Sequence, residues 1–103
     1  MKVHNKLVRD RIPEIIERGG GHPAVRTLDA DEYLCELDRK LAEEVEEYLE
    51  SGSLEELADV SEVLAAILRA RGYTAEELIV TMDKKRKERG GFAERIYLEY
   101  VEE

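Results

Sequence analysis

Two acidic pairs flank a short turn at a spacing that suits divalent-metal chemistry on phosphates. Glu44 and Glu47 precede Ser51-Gly52-Ser53, and Glu56 and Asp59 follow it. If the turn joins two antiparallel helices, Glu47 and Glu56 lie equally far from it to within one residue, and so do Glu44 and Asp59. Each pair is then expected at one height of the hairpin, the two heights about 4.5 Å apart from three residues at 1.5 Å rise. This is close to the roughly 3.5 to 4 Å that separates the ions of two-metal phosphate chemistry. A donor set made only of oxygen favours hard cations, so Mg²⁺ is the expected ion, with Mn²⁺ as an alternative.

Acidic runs on helices are usually solvated faces, and angular position tests that reading. At 100° per residue with Leu41 as origin, Glu44 falls about 60° to one side, within the stripe of Leu37 and Tyr48, and Glu47 flanks it at about 120°. Glu46 and Glu50 point to solvent. On the next helix the apolar residues form two stripes, one of Leu57, Val60, Leu64 and Ile67, the other of Val63, Ala66 and Ala70. Glu56 and Asp59 begin the second. A helix apolar over so much of its circumference is expected to be buried on several sides, by neighbouring helices or by another subunit. Carboxylates buried there must be paired, protonated or metal-bound. A simple helix cap is the competing role for Glu56.

Four helices position these groups. Pro13 suits the first turn of a short helix that runs to about Arg18 and ends at Gly19. Asp29 with Glu32 has capping-box spacing, and Leu34, Leu37, Leu41, Val45, Tyr48 and Leu49 recur at helical intervals up to Gly52. Ser53 with Glu56 repeats the capping signal for a helix from Leu54 to about Arg71. Thr74 with Glu77 opens a fourth helix reaching Glu88 or Arg89. After it, Arg95 to Val101 reads as a short strand or a helix, with a minor strand preferred. The fold class is thus all-α, a helical hairpin or bundle with a possible short strand at a terminus.

The chain has 103 residues, a length for one small domain whose core is marginal alone, so homo-oligomerisation is expected. Its formal net charge of −9 disfavours a nucleic-acid polymer as partner. Basic residues gather locally: Lys84, Lys85, Arg86, Lys87 and Arg89 form a run broken only by Glu88. Lys85 and Arg89, one helical turn apart, together with Arg86 suit a polyphosphate clamp, and Lys6 and Arg9 are candidates to join them. Lys40 shares a side with Glu44 and Glu47, where it contacts phosphate or makes an ion pair. Cys35, the only cysteine, excludes an internal disulfide and reads as a small packing residue. With no apolar leader or membrane-length segment in view, a cytoplasmic setting and no membrane partner are expected.

At Glu43-Glu44-Val45-Glu46-Glu47 and Glu56-Leu57-Ala58-Asp59 the chain resembles the all-α nucleoside triphosphate pyrophosphohydrolases, the superfamily of MazG-like proteins, dimeric dUTPases and phosphoribosyl-ATP pyrophosphohydrolase. Its hallmark is Glu-Glu-x-x-Glu followed by Glu-x-x-Asp, and both halves stand here in order. The segments from Lys6 to Ile16 and from Lys85 to Phe92 resemble a small MazG-like subgroup related to phosphoribosyl-ATP pyrophosphohydrolase, so the resemblance covers nearly the whole chain. It departs from the wider superfamily in the short spacer between Glu47 and Glu56, and in Asp83 where relatives often carry Asn. The resemblance implies one domain that hydrolyses a nucleotide between its α and β phosphates. It implies Glu44, Glu47, Glu56 and Asp59 as metal ligands, and Glu43 with Glu47 as the catalytic carboxylates around the attacking water. Glu43 also suits a solvent-facing position. The alternative from another class is a non-catalytic, oligomeric helical interaction module with a structural cation site.

Overall fold

The computed structural model describes residues 1–103, which form four α-helices and no strand. They are α1 (Ile12–Arg18), α2 (Ala30–Ser51), α3 (Leu54–Ala70) and α4 (Ala75–Arg89). The all-α expectation holds. The residues gather into two compact units, Met1–Gly72 and Tyr73–Glu103.

Local signals set the helix ends. The Asp29 carboxylate accepts the Glu32 amide hydrogen bond at 2.9 Å and caps α2. Glu32 does not reach back to complete a box, because Arg26 donates two bonds to its carboxylate, at 3.3 and 2.8 Å. This guanidinium holds the Glu32 carboxyl below the ordinary range and pins the preceding loop to the helix. At the other end Gly52 adopts φ 64°, a left-handed conformation that glycine enters without a Cβ penalty, and its amide bonds back to the Tyr48 carbonyl. Ser53 then caps α3, its hydroxyl accepting the Glu56 amide at 3.2 Å.

The two-residue link folds α2 and α3 into an antiparallel hairpin, the body of the first unit. Its core is thin. Leu37 (2 % exposed) and Val63 (8 %) are the only buried apolar side chains, and Arg71 bridges Asp38 at 3.6 Å towards the end remote from the turn. Leu7, Val8 and Ile12, half-buried, bring the amino-terminal segment onto the hairpin. The expectation that α3 is enclosed on several sides is not met within the chain. Its Val63 stripe turns inward, but Leu57 and Leu64 on the other stripe are both 42 % exposed. Cys35 is exposed rather than packed.

In the second unit α4 starts with a complete capping box, the Thr74 hydroxyl accepting from the Glu77 amide at 3.1 Å and the Glu77 carboxylate from the Thr74 amide at 3.0 Å. The strand expected at Arg95 to Val101 does not form. Arg95 sits at φ 58°, which breaks extended backbone, and an all-helical chain offers no strand edge to satisfy its amides and carbonyls. Ile96, Tyr97, Leu98, Tyr100 and Val101 are all exposed.

Replacing Gly52 with alanine is expected to destabilise the hairpin by about 1 to 2 kcal/mol, the cost of a Cβ in the left-handed region. Urea denaturation of both proteins measures it, and an unchanged midpoint would contradict the turn conformation described.

Candidate metal centre

The carboxylates converge on Glu44. Its side chain, only 7 % exposed, is the one buried charged group of the chain, as its place in the inward stripe predicts. Two sets of carboxylate oxygens lie within 4.8 Å of one another, Glu43 with Glu44 and Glu47 on α2, and Glu44 with Glu56 and Asp59 across the hairpin. The two separate levels expected from the turn arithmetic are therefore replaced by two groups sharing Glu44. Glu47 lies further round α2 than Glu44, and its oxygens gather with those of its own helix rather than with Glu56.

Each half of the hairpin supplies its part for a local reason. Glu47 lies one turn beyond the adjacent Glu43 and Glu44 on α2, four and three residues on, where helical side chains meet. Glu56 stands at the start of α3, where a capping role competes for it. That role is taken by another group: the Ser53 amide donates to the Ser51 hydroxyl at 3.2 Å, so Glu56 has no backbone amide to accept. Its side chain makes no cap, and its Oε2 is buried without a hydrogen-bond partner. The same holds for Oε2 of Glu44.

Three cations lie among these acids. Lys40 contacts Glu43 at 3.5 Å and Glu44 at 3.4 Å, Lys6 approaches Glu43 at 3.7 Å, and Arg9 donates to Asp59 at 2.6 Å. Of the two roles open to Lys40, the ion pair is the one seen. Five carboxylates thus face three cations, and two negative charges remain unbalanced. Burial pushes the Glu44 pKa above its ordinary 4.5, the Glu47 carboxyl raises it further, and Lys40 opposes both.

The donor set fits a hard divalent cation. Two orphaned, buried carboxylate oxygens are costly as they stand and are what such an ion takes up. The charge left over by Lys6, Arg9 and Lys40 equals that of one such ion.

Glu44 and Asp59 also border a cavity of about 450 Å³ between the amino-terminal segment and the hairpin. Its volume lies in the range of small-molecule sites. Leu7, Ile12, Leu37 and Val63 give it an apolar wall, and Arg9 and Lys40 open onto it. Tyr33, Glu62 and Arg69 line it as well. Sequence reasoning passed over these three, although a signal exists: Tyr33, Leu37, Lys40 and Glu44 fall on one face of α2, and Asp59, Glu62, Val63, Ala66 and Arg69 on one face of α3.

Of the basic residues picked out as phosphate-binding, Lys6, Arg9 and Lys40 are at the acidic centre. Lys85, Arg86 and Arg89 belong to the second unit, where Lys85 and Arg89 line a hollow of about 400 Å³ with Gly90, Gly91 and Phe92. Arg86 is held by Asp83 at 2.9 Å.

Comparison with known proteins adds little to this geometry. No family model matches the chain, and no solved structure matches it significantly. An uncharacterized protein of Mycolicibacterium smegmatis is 60 % identical over 42 residues, which cover 41 % of this chain and 43 % of that protein. The match thus spans less than half of either chain.

Glu44→Gln is expected to weaken Mn²⁺ binding by more than about a hundredfold, since even groups behind metal ligands are worth ten- to hundredfold. The folded protein holds the Glu44 proton more tightly than the unfolded chain, so metal-free stability should fall as pH rises from 4.5 through the raised pKa. Metal affinity should rise over the same window. Titration calorimetry and thermal melts across that window check both, and the Gln variant should flatten each profile.

Proposed function

We propose that the protein is a Mg²⁺-dependent nucleotide pyrophosphohydrolase that cleaves a nucleoside triphosphate, or a related phosphoribosyl nucleotide, between its α and β phosphates. The products are a monophosphate and pyrophosphate. The observation that carries this reading is the pair of buried, unpartnered oxygens of Glu44 and Glu56, the first of which borders a ligand-sized cavity. Mn²⁺ suits the same donors.

Glu44, Glu47, Glu56 and Asp59 would hold the metal, which supplies charge neutralisation and a more acidic water. Glu43, beside them and held by Lys6 and Lys40, accepts the proton of the attacking water, with Glu47 orienting it. Water adds its oxygen to the α-phosphorus as the bond to the bridging oxygen breaks, and pyrophosphate leaves with that electron pair. Arg9, Lys6 and Lys40 stand where the phosphate oxygens arrive and balance their charge. Lys85, Arg86 and Arg89 are assigned to the substrate on the resemblance alone.

The protein is read as a homo-oligomer, dimer or tetramer, in the cytoplasm. Two buried apolar residues are few for a chain of 103, while Leu54, Leu57, Leu64, Ile79, Val80, Phe92 and Tyr97 remain exposed. A second copy would cover such surface. No helix is long and apolar enough to cross a membrane.

The same exposed surface favours a second reading, a non-catalytic oligomeric helical module with a structural cation. Asp59→Asn separates the two. The hydrolase reading expects roughly a hundredfold or greater loss of Mg²⁺-dependent pyrophosphate release with an unchanged melting curve. A panel of nucleoside triphosphates and phosphoribosyl-ATP supplies the substrates. If every compound is inert with the wild type, the module reading replaces it. Analytical ultracentrifugation should give a multiple of the 11.8 kDa chain mass, and a monomer would remove the assembly from either reading.

A further inference from the structure

The face of α3 turned away from the cavity carries no charge. At 100° per residue with Val63 as origin, Glu55, Glu56, Asp59, Glu62 and Arg69 all fall between about −120° and about +20°. The sector from about 100° to about 220° holds four leucines, two alanines and a serine. In a chain that is 40 % charged, a solvated helix face would carry some of that charge. This one instead exposes Leu54, Leu57 and Leu64 to water, Leu54 at 81 %. Val45 and Leu49 extend the apolar face onto α2, where they share a flank with Asp38. Asp38 meets Arg71 on the flank of Leu64, so both helices turn these side chains to the same side of the hairpin.

The order of residues within the sector says what covers it. Leu54, Leu57, Ser61, Leu64 and Leu68 follow the alternating three- and four-residue spacing of a helix–helix seam. The sector also reads nearly the same in both directions from Ser61. If a second α3 runs antiparallel across a two-fold axis at Ser61, residues equally far before and after that serine stand opposite one another. Leu54 then meets the partner's Leu68, Leu57 the partner's Ala65, Ala58 the partner's Leu64, and Ser61 its own counterpart. A large side chain faces a small one on each side of the centre, as close helix packing requires. Ser61 is small enough to let the backbones approach, and its hydroxyl both donates and accepts, so two of them can bond each other. Such self-complementarity is what an isologous contact demands and what an unrelated partner would not need. Charge favours the same occupant. Two chains of net charge −9 repel, and they can approach most closely where neither presents an acid.

We infer that two copies of the chain pair through antiparallel α3 helices that meet at Ser61, with Val45 and Leu49 at the margins of the contact. This pairing specifies the self-association already proposed, and it holds whether or not the chain cleaves a nucleotide.

Ser61→Cys in a Cys35→Ser background tests the register. Facing positions on packed helices lie within disulfide reach, about 4.4 to 6.8 Å between Cα atoms, so mild oxidation should trap a covalent dimer. Ala58→Cys in the same background should cross-link roughly tenfold more slowly or not at all, because its two copies would be six residues apart, about 9 Å along the axis. Ser61 is exposed in the single chain, so Ser61→Lys should keep the helical circular dichroism spectrum while placing two like charges face to face. Sedimentation should then show self-association weakened by roughly a hundredfold or more. If Ser61→Lys does not fold, the two cysteine variants decide alone. A monomeric wild type, an assembly untouched by a folded Ser61→Lys, or equal cross-linking at positions 58 and 61 overturns the pairing. A cross-linked dimer that releases no pyrophosphate from any nucleotide sinks the hydrolase reading and spares this one. A monomer that releases pyrophosphate does the reverse.

Discussion

Everything in the first unit is arranged around an unbalanced negative charge inside a helical hairpin. Glu44 occupies a position on α2 that periodicity assigns to the core, among the few sites the hairpin shields from water. Burial of a lone carboxylate is unfavourable, and three responses surround this one. Its pKa rises, Lys40 leans against it, and the amino-terminal segment delivers Lys6 and Arg9 to the neighbouring acids. None satisfies the second oxygens of Glu44 and Glu56. The hairpin gives up stability at this place, and a cation held by these oxygens would restore it.

Much of the fold was legible because its signals are local. The caps at Asp29, Ser53 and Thr74, the stops at Gly19, Gly52 and Gly90, and the inward angle of Glu44 follow from residue type and spacing. What involved partners distant in sequence was less visible. Turn arithmetic set Glu47 opposite Glu56, but side-chain direction around each helix decided the contacts, and Glu44 became common to both acidic groups. Lys6 and Arg9 were named from the sequence, yet their pairing with Glu43 and Asp59 depends on how the segment before α1 lies on the hairpin. The alternating residues after Arg95 look like a strand only until one asks what they would pair with.

The thin core and the exposed side chains follow from one another. A hairpin offers one contact face per helix, and here that face is shared between Leu37, Val63 and the acidic centre. Polar groups that occupy core positions leave less area to hold the chain together. The remaining apolar residues, Leu57 and Leu64 on α3 and Ile79 and Val80 on α4, are left outward. A protein built this way places its charged cluster where other small domains place their packing.

The turn shows how far such a centre extends beyond the groups that line it. Ser53 and Thr74 both precede a glutamate three residues on, and in sequence the two motifs are alike. Thr74 and Glu77 close on each other, whereas the Ser51 hydroxyl occupies the Ser53 amide and leaves Glu56 free. A hydroxyl that belongs to no acidic group thus decides whether the Glu56 carboxylate closes a capping box or stays free to join the acidic cluster. Substitutions at position 51 that are silent on the surface would be felt as a change in the charge and reach of the acidic cluster, so the turn and the cluster are bound to vary together.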